Sequence, residues 1–192
     1  MIYRNKTLIG DELKGADIKH EKFIKCKFNN VNLRFSSFKN CEFTSCDFSE
    51  VVFDSTSFVE CRFPGSKLSN LDFSDVDFKN CDFFSSVIEN SIYQKLKNGL
   101  QYHRKRLSLK DNIFKETDLK GTVFVKCELA GMDFGNSNLE AVVFEYCNLE
   151  KTNLSGSNIV GITFDNCDIK GTILDLNGFI HYGNSKGFVL EA

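Results

Sequence analysis

Eight cysteines and three histidines are the residues of this 192-residue chain with the most chemistry to offer, and their spacing decides what chemistry that is. Cys26, Cys41, Cys46, Cys61 and Cys81 are separated by multiples of five, and Cys127, Cys147 and Cys167 by twenty. Metal sites gather ligands from close spacings such as C-x2-C, usually with histidine nearby. Neither feature occurs, so no metal is expected. Disulfides need an oxidising compartment and side chains that face one another. The chain opens Met-Ile-Tyr-Arg-Asn-Lys-Thr-Leu, without the apolar stretch of a signal peptide, so a cytoplasmic location and reduced thiols are expected. A buried free cysteine packs as a small hydrophobe, and that is the role the spacing predicts. His20, His103 and His181 are isolated from one another and read as surface or loop residues. There is no P-loop, no G-x-G-x-x-G and no G-x-S-x-G, so neither an enzyme nor a bound cofactor is expected.

The cysteine spacing is one trace of a stricter pattern. Cys41 to Phe63 reads Cys-Glu-Phe-Thr-Ser, Cys-Asp-Phe-Ser-Glu, Val-Val-Phe-Asp-Ser, Thr-Ser-Phe-Val-Glu, Cys-Arg-Phe, a unit of five centred on phenylalanine. Apolar residues hold every centre: Leu13, Ile18, Phe23, Phe28, Leu33, Phe38, Phe43, Phe48, Phe53, Phe58, Phe63, Leu68, Phe73, Phe78, Phe83, Ile88 and Tyr93. The frame is then lost and returns one residue out of step at Phe114. It continues through Leu119, Phe124, Leu129, Phe134, Leu139, Phe144, Leu149, Leu154, Ile159, Phe164 and Ile169 to Leu174. All eight cysteines fall two residues before a centre.

A period of five suits neither regular element, since a helix repeats its apolar stripe at about 3.6 residues and a half-buried strand at about 2. It suits a coil that turns a corner every five residues, with four sides making a square turn of about 20 residues. Residues one turn apart then stack at about 4.8 Å. Gly15, Asn30, Asn40, Gly65, Asn80, Gly121, Gly131, Gly156, Gly161 and Gly171 lie two after a centre, where a tight corner demands positive φ. Phe63-Pro64-Gly65-Ser66 has the signature of a type II turn. Columns such as Phe23, Phe43, Phe63, Phe83 and Phe124, Phe144, Phe164 fill the interior, together with Phe48, Phe53, Phe58, Phe73 and Phe78. They leave no room for a ligand and supply most of the stability.

The one long break, residues 94–108, is also the most basic stretch. Lys95, Lys97, Arg104, Lys105, Arg106 and Lys110 fall within residues 94–110, which contain no acid, whereas residues 111–192 carry 6 basic and 12 acidic groups. Leu96, Leu100, His103 and Leu107 lie at helical spacing, so a short helix or a projecting loop is expected there. The charge run is either a solvated face paired with the acidic coil or a partner-binding projection. The net charge of −2 argues against nucleic-acid binding through bulk positive charge. No apolar run approaches the roughly 20 residues that span a bilayer.

Units such as Ala16-Asp17-Ile18-Lys19-His20, Cys46-Asp47-Phe48-Ser49-Glu50, Cys81-Asp82-Phe83-Phe84-Ser85, Ser137-Asn138-Leu139-Glu140-Ala141 and Ser157-Asn158-Ile159-Val160-Gly161 follow the pattern Ala-(Asp/Asn)-(Leu/Phe)-X-X. Over about residues 11–176 the chain resembles the pentapeptide repeat family, departing from it in its many cysteines and in the break. The resemblance implies an all-β fold, a right-handed quadrilateral β-helix. On that footing residues 1–192 form a single domain, with repeats over 11–93 and 112–176, an interruption over 94–108 and a C-terminal cap over 177–192. It also implies a use. The quinolone-resistance and antibiotic self-immunity members look like B-form DNA in width and charge, and engage type II topoisomerases such as DNA gyrase and topoisomerase IV. This chain is accordingly expected to be a non-catalytic protein-binding solenoid with a protein partner, and without direct contact to nucleic acid or membrane. The alternative is a general protein-interaction scaffold. A continuous acidic stripe would favour DNA mimicry and scattered charge the scaffold. At the C-terminal end, Phe179, Ile180, Tyr182, Phe188, Val189 and Leu190 are expected to cap the coil or, left exposed, to join two copies; Ile2, Tyr3, Leu8 and Ile9 serve the N-terminal end.

Overall fold

The structure, a computed structural model, describes residues 1–94 and 106–191. Before the break lie β1 (Ile2–Arg4), β2 (Asp17–Lys19), β3 (Lys22–Ile24), β4 (Ser37–Lys39), β5 (Glu42–Thr44), β6 (Thr56–Val59), β7 (Val76–Lys79) and β8 (Ile92–Tyr93). After it come β9 (Leu107–Ser108), β10 (Val123–Val125), β11 (Cys127–Glu128), β12 (Val143–Glu145), β13 (Thr163–Asp165) and α1 (Leu176–Ser185). Every strand pair is parallel, and partners such as Phe23 and Phe43, Phe38 and Phe58, or Phe124 and Phe144 are one turn apart. The sheets run β1-β3-β5, β2-β4-β6-β7, β8-β10-β12-β13 and β9-β11, with single bridges completing the sides. The result is a β-solenoid of about 8 turns.

The five-residue period works because the centres point inward and, away from the ends of the coil, meet the centre of the next turn. Rings within a column lie nearly flat on one another: Phe23 on Phe43 at 5.1 Å, Phe43 on Phe63 at 5.1 Å and Phe63 on Phe83 at 5.0 Å. Adjacent columns meet edge to face, as Phe43 meets Phe48 at 5.3 Å and 71°. Both geometries suit the aromatic quadrupole. Phe43, Phe48, Phe58, Phe63, Phe73, Phe78, Phe83, Phe124 and Phe144 are buried. Phe53 and Phe164 are only partly so, the first tilted 41° from Phe73 and the second lying near the C-terminal end.

The small residue two before each centre has a second task that its size conceals. Corner backbone groups cannot all pair with the adjacent turn, and a buried unpaired group is costly. The Ser66 hydroxyl accepts from the Cys46 N–H at 2.9 Å and donates to the Phe43 carbonyl at 2.6 Å, closing a corner of the preceding turn. Ser91 does the same for Leu71 and Leu68, and Ser137 for Thr117 and Phe114. Cysteines join in: the Cys147 thiol accepts from the Cys127 N–H at 3.3 Å and donates to the Phe124 carbonyl at 3.2 Å. The thiols are therefore more than the small hydrophobes expected from spacing, because each is placed against a carbonyl that needs a donor. All eight are free, and Cys167, at the end of its column, is the one that is part-exposed.

Positive φ recurs two residues after the centres, at Asn30, Asn40, Asn80, Gly121 and Gly171 among others. The Phe63–Ser66 turn closes with the Ser66 N–H donating to the Phe63 carbonyl at 3.0 Å and with Gly65 at φ 63°.

The break is narrower than its sequence suggested. Tyr93 pairs with Phe124 and stacks on it at 5.0 Å, and Phe83 stacks on Phe114 at 4.9 Å, so the columns run straight across the seam. Leu107, placed on a helical stripe by its spacing, instead pairs in β9 with Cys127, and Leu109 is a buried centre. The reason is that Leu107 and Leu109 are two apart and so satisfy the two inward positions of one coil side. Asn112 closes the seam as serine does elsewhere. Its Oδ1 accepts from the Cys81 N–H at 2.8 Å, and its Nδ2 donates to the Phe78 and Leu109 carbonyls at 3.2 and 2.9 Å.

At the C-terminal end the chain leaves the coil through α1. Asp175 caps the helix, its Oδ1 accepting from Gly178 N–H at 2.7 Å, while Oδ2 accepts from the coil's Gly156 N–H at 2.8 Å. The Gly178 N–H, then that of Gly156, holds the Asp175 carboxyl below its usual range. Gly178 is buried, and an added Cβ would stand 3.2–3.6 Å from Asp175, Leu174 and Ile159, so its lack of a side chain lets the helix lie close on the coil. Tyr182 meets Phe164 edge to face at 5.5 Å. The rest of the expected cap does less: Phe179, Phe188, Val189 and Leu190 are 70, 72, 90 and 67 % exposed. At the other end Tyr3 stacks on Phe23 and Leu8 is buried, while Ile2 and Ile9 face outward.

Candidate interaction surface

With the interior filled by stacked rings, anything this molecule recognises must meet its outside. Each end of the coil carries a concavity. One of about 550 Å³ is floored by Tyr3, Leu8, Leu13, Ile18 and Phe23, and another of about 460 Å³ lies between α1 and the tail, lined by Phe179, Tyr182 and Phe188. Among the described residues no cluster of three or more His, Cys, Asp or Glu has a geometry that could hold a metal ion.

Of the basic residues singled out from sequence, Lys95, Lys97, Arg104 and Lys105 lie outside the described residues. Arg106 enters β9 with its guanidinium half-exposed and its Nη1 3.7 Å from Glu128 Oε2. Lys110 is exposed in the corner that follows the β9 side, immediately after the centre Leu109. Gln94 and Arg106, which flank the break, stand at the corner that follows the β8-β10-β12-β13 sheet.

Outward charge is arranged differently in the two halves. In the first, acids and bases alternate up the column Lys22, Glu42, Arg62, Asp82: Lys22 lies 3.1 Å from Glu42, and Arg62 lies 3.5 Å from Asp82. Lys22 holds the Glu42 carboxyl below its ordinary range. In the second half, acids are followed by amides. Asn138 donates to Asp118 at 2.9 Å and Asn158 to Asn138 at 3.2 Å. Asn153 donates to Asp133 at 2.8 Å and Asn148 to Glu128 at 2.7 Å. An amide partner leaves the carboxylate charge in place where a lysine would balance it. A net acidic surface thus belongs to the second half, interrupted there by pairs such as Lys120 with Glu140 at 2.8 Å.

Two surface residues escaped the sequence reading. Phe35 and Tyr146 occupy corner positions at φ 62° and 54° and are 59 and 46 % exposed. The available signal was an aromatic residue two after a centre, where glycine, asparagine and other residues that tolerate the left-handed region prevail.

Comparison with known proteins bears on the fold. A family profile described as Pentapeptide repeat region matches residues 16–93 and 105–174, leaving out much of the break. A trypsin-treated variant of QnrB1, described as a plasmid-mediated fluoroquinolone resistance protein, superposes with a TM-score of 0.68 at 14% identity, covering 100% of this chain and 99% of that one. Full-length QnrB1 superposes with a TM-score of 0.51 at 18% identity, with 97% of each chain covered. At such identities the likeness is one of fold. Comparison with curated protein sequences returns no significant match. The five-residue lattice, the parallel four-sided coil and the match on both sides of the break agree: this chain belongs to the pentapeptide repeat family.

Proposed function

We propose that the protein is a non-catalytic, cytoplasmic protein-binding solenoid that confers antibiotic resistance or self-immunity by engaging a type II topoisomerase, DNA gyrase or topoisomerase IV. The observation that carries this reading is the end-to-end likeness in fold to a fluoroquinolone resistance protein, QnrB1. The stacked Phe interior supports it by confining recognition to the outer surface. The acid-and-amide columns of the second half, Asp118–Asn138–Asn158 above all, are the part that suits a DNA-like surface. The alternating Lys22–Glu42–Arg62–Asp82 column of the first half favours the second reading, a general interaction scaffold. The basic residues around the break, Lys95, Lys97, Arg104, Lys105, Arg106 and Lys110, add a local cationic contact for the same partner, Arg106 and Lys110 from the coil itself. A second copy covers the exposed Phe179, Phe188, Val189 and Leu190, since one contiguous apolar end is the mark of an interface.

The test is a supercoiling assay with purified gyrase, a fluoroquinolone and increasing amounts of this protein. The topoisomerase reading predicts recovery of supercoiling together with retention of gyrase on the immobilised protein. Neither recovery nor retention would leave the scaffold reading.

A further inference from the structure

Phe35 and Tyr146 sit where the backbone is least hospitable to them. A left-handed φ brings Cβ against the following carbonyl, and bulky residues there are outliers. The other described left-handed corners carry glycine, alanine, asparagine, serine, or polar side chains such as His20, Glu50, Glu60, Lys126 and Lys151, whereas Phe35 and Tyr146 place a phenyl or phenol ring there. Neither ring is offset by burial, since both are about half exposed.

The two rings also share one of the four corner edges. Phe35 follows the side of Leu33, and Tyr146 the side of Phe144. The column through Phe53, Phe73, Tyr93, Phe124 and Phe144 joins these sides turn by turn. Between the rings the edge carries Ser55, Asp75, Arg106 and Lys126. Next to Tyr146 it is cationic, for Lys126 lies one turn away and Arg106 one turn further. Arg106 is tied loosely to Glu128, and Lys126 has no ion pair among the described residues. It is also the edge at which the chain leaves and rejoins the coil around the break.

Exposed aromatics held in strained backbone cost stability, and such strain is concentrated where it serves function. Tyrosine flanked by cations is moreover a common anchor of protein interfaces. We infer that this corner edge is the partner-contacting edge of the rod. Phe35 and Tyr146 are its anchors, separated by five turns or about 24 Å. The surface it fits is that of a folded protein with two apolar sockets at that separation and carboxylates opposite Lys126 and Arg106. The inference rests on the protein-binding reading above and adds which edge makes the contact.

The experiment measures stability and binding together on Phe35→Asn, Tyr146→Asn and the double variant, with reconstituted gyrase as the probe. Asparagine tolerates the left-handed region, so the double variant is expected to melt about 2 °C or more higher than the parent. It is expected to bind gyrase at least tenfold more weakly. Lys126→Glu is expected to weaken binding most at low salt. If the parent binds gyrase and the double variant binds equally well, the edge is wrong while the topoisomerase reading stands. A double variant that melts lower would assign the rings to coil packing and overturn the inference. If the parent does not bind gyrase, the topoisomerase reading fails, and in-cell photocrosslinking from benzoylphenylalanine judges the edge. One and the same protein captured from positions 35 and 146 but not from 70 and 80, and lost on Lys126→Glu, keeps the inference. No adduct, or equal adducts from Asn70 and Asn80 on other corners, sinks it.

Discussion

At the scale of single residues, the position two before each centre sets the coil's tolerance to change. Ser66→Ala leaves the Cys46 N–H and the Phe43 carbonyl without their bridge, and should cost about 1–3 kcal/mol, the penalty for stranding buried polar groups. Ser66→Cys should cost less, because thiols fill the same role at Cys147. Phe43→Ala should cost about 3–5 kcal/mol and outward Lys39→Ala less than about 0.5 kcal/mol. Denaturant midpoints compare all four. An equal loss for the serine and the lysine variant would contradict the bridging role. Burial pushes the Cys46 thiol from 9.0 up to about 12. A group whose folded value is raised contributes stability below its unfolded value that is lost as pH rises through the folded one. Melting should therefore be unaffected by this thiol below about pH 9 and decline toward pH 12. Cys46→Ala should lessen that decline, leaving the share of the similarly raised Cys61 and Cys147 thiols. In native alkylation at neutral pH, Cys167 should react first, as the part-exposed member. Tyr93 adds a residue-scale oddity: it is buried among aromatic rings with a hydroxyl that has no partner among the described residues. Tyr93→Phe should raise stability by about 1 kcal/mol, read from the same denaturant curves.

Among elements, the break and α1 stand apart from the repeating coil. Because β9 belongs to the coil, a connection that replaces residues 95–105 and spares Leu107 and Asn112 should preserve the Tyr93–Phe124 and Phe83–Phe114 stacks. Loop closure varies slowly with length, so the circular dichroism spectrum should be retained and the melting temperature nearly so. Extending the deletion through Leu107 should unfold the seam, and equal melting of the two deletions would refute the assignment of β9 to the coil. Helix α1 hangs on Asp175, which joins the Gly178 and Gly156 amides.

For the molecule as a whole, turns contact only their neighbours, so the ends decide solubility and assembly. Removing residues 186–192 strips away Phe188, Val189 and Leu190 while leaving α1 and the Tyr182–Phe164 contact in place. If this end joins two copies, the truncated chain should sediment as a monomer where the full chain sediments as a dimer. Dimers that persist after truncation would move the interface elsewhere.

The periodicity of the chain was enough to determine the four-sided coil, the inward centres and the corners, because each is dictated by residues within five positions of one another, and repetition of that unit four times per turn sets the columns. Leu68 and Phe48 need no distant information to point inward. The tertiary structure decided what depends on neighbours a full turn away. That the small residues bridge corner amides and carbonyls is invisible until Ser66 meets Phe43, 23 positions earlier. That Leu107 joins a strand is likewise settled by Cys127 and not by its local helical spacing. Phe35 and Tyr146 share an edge only because the columns continue across the break, and the tail stays exposed because Gly178 and Tyr182 suffice to seat α1. Local spacing specifies which way a side chain points, and stacking specifies what it meets there.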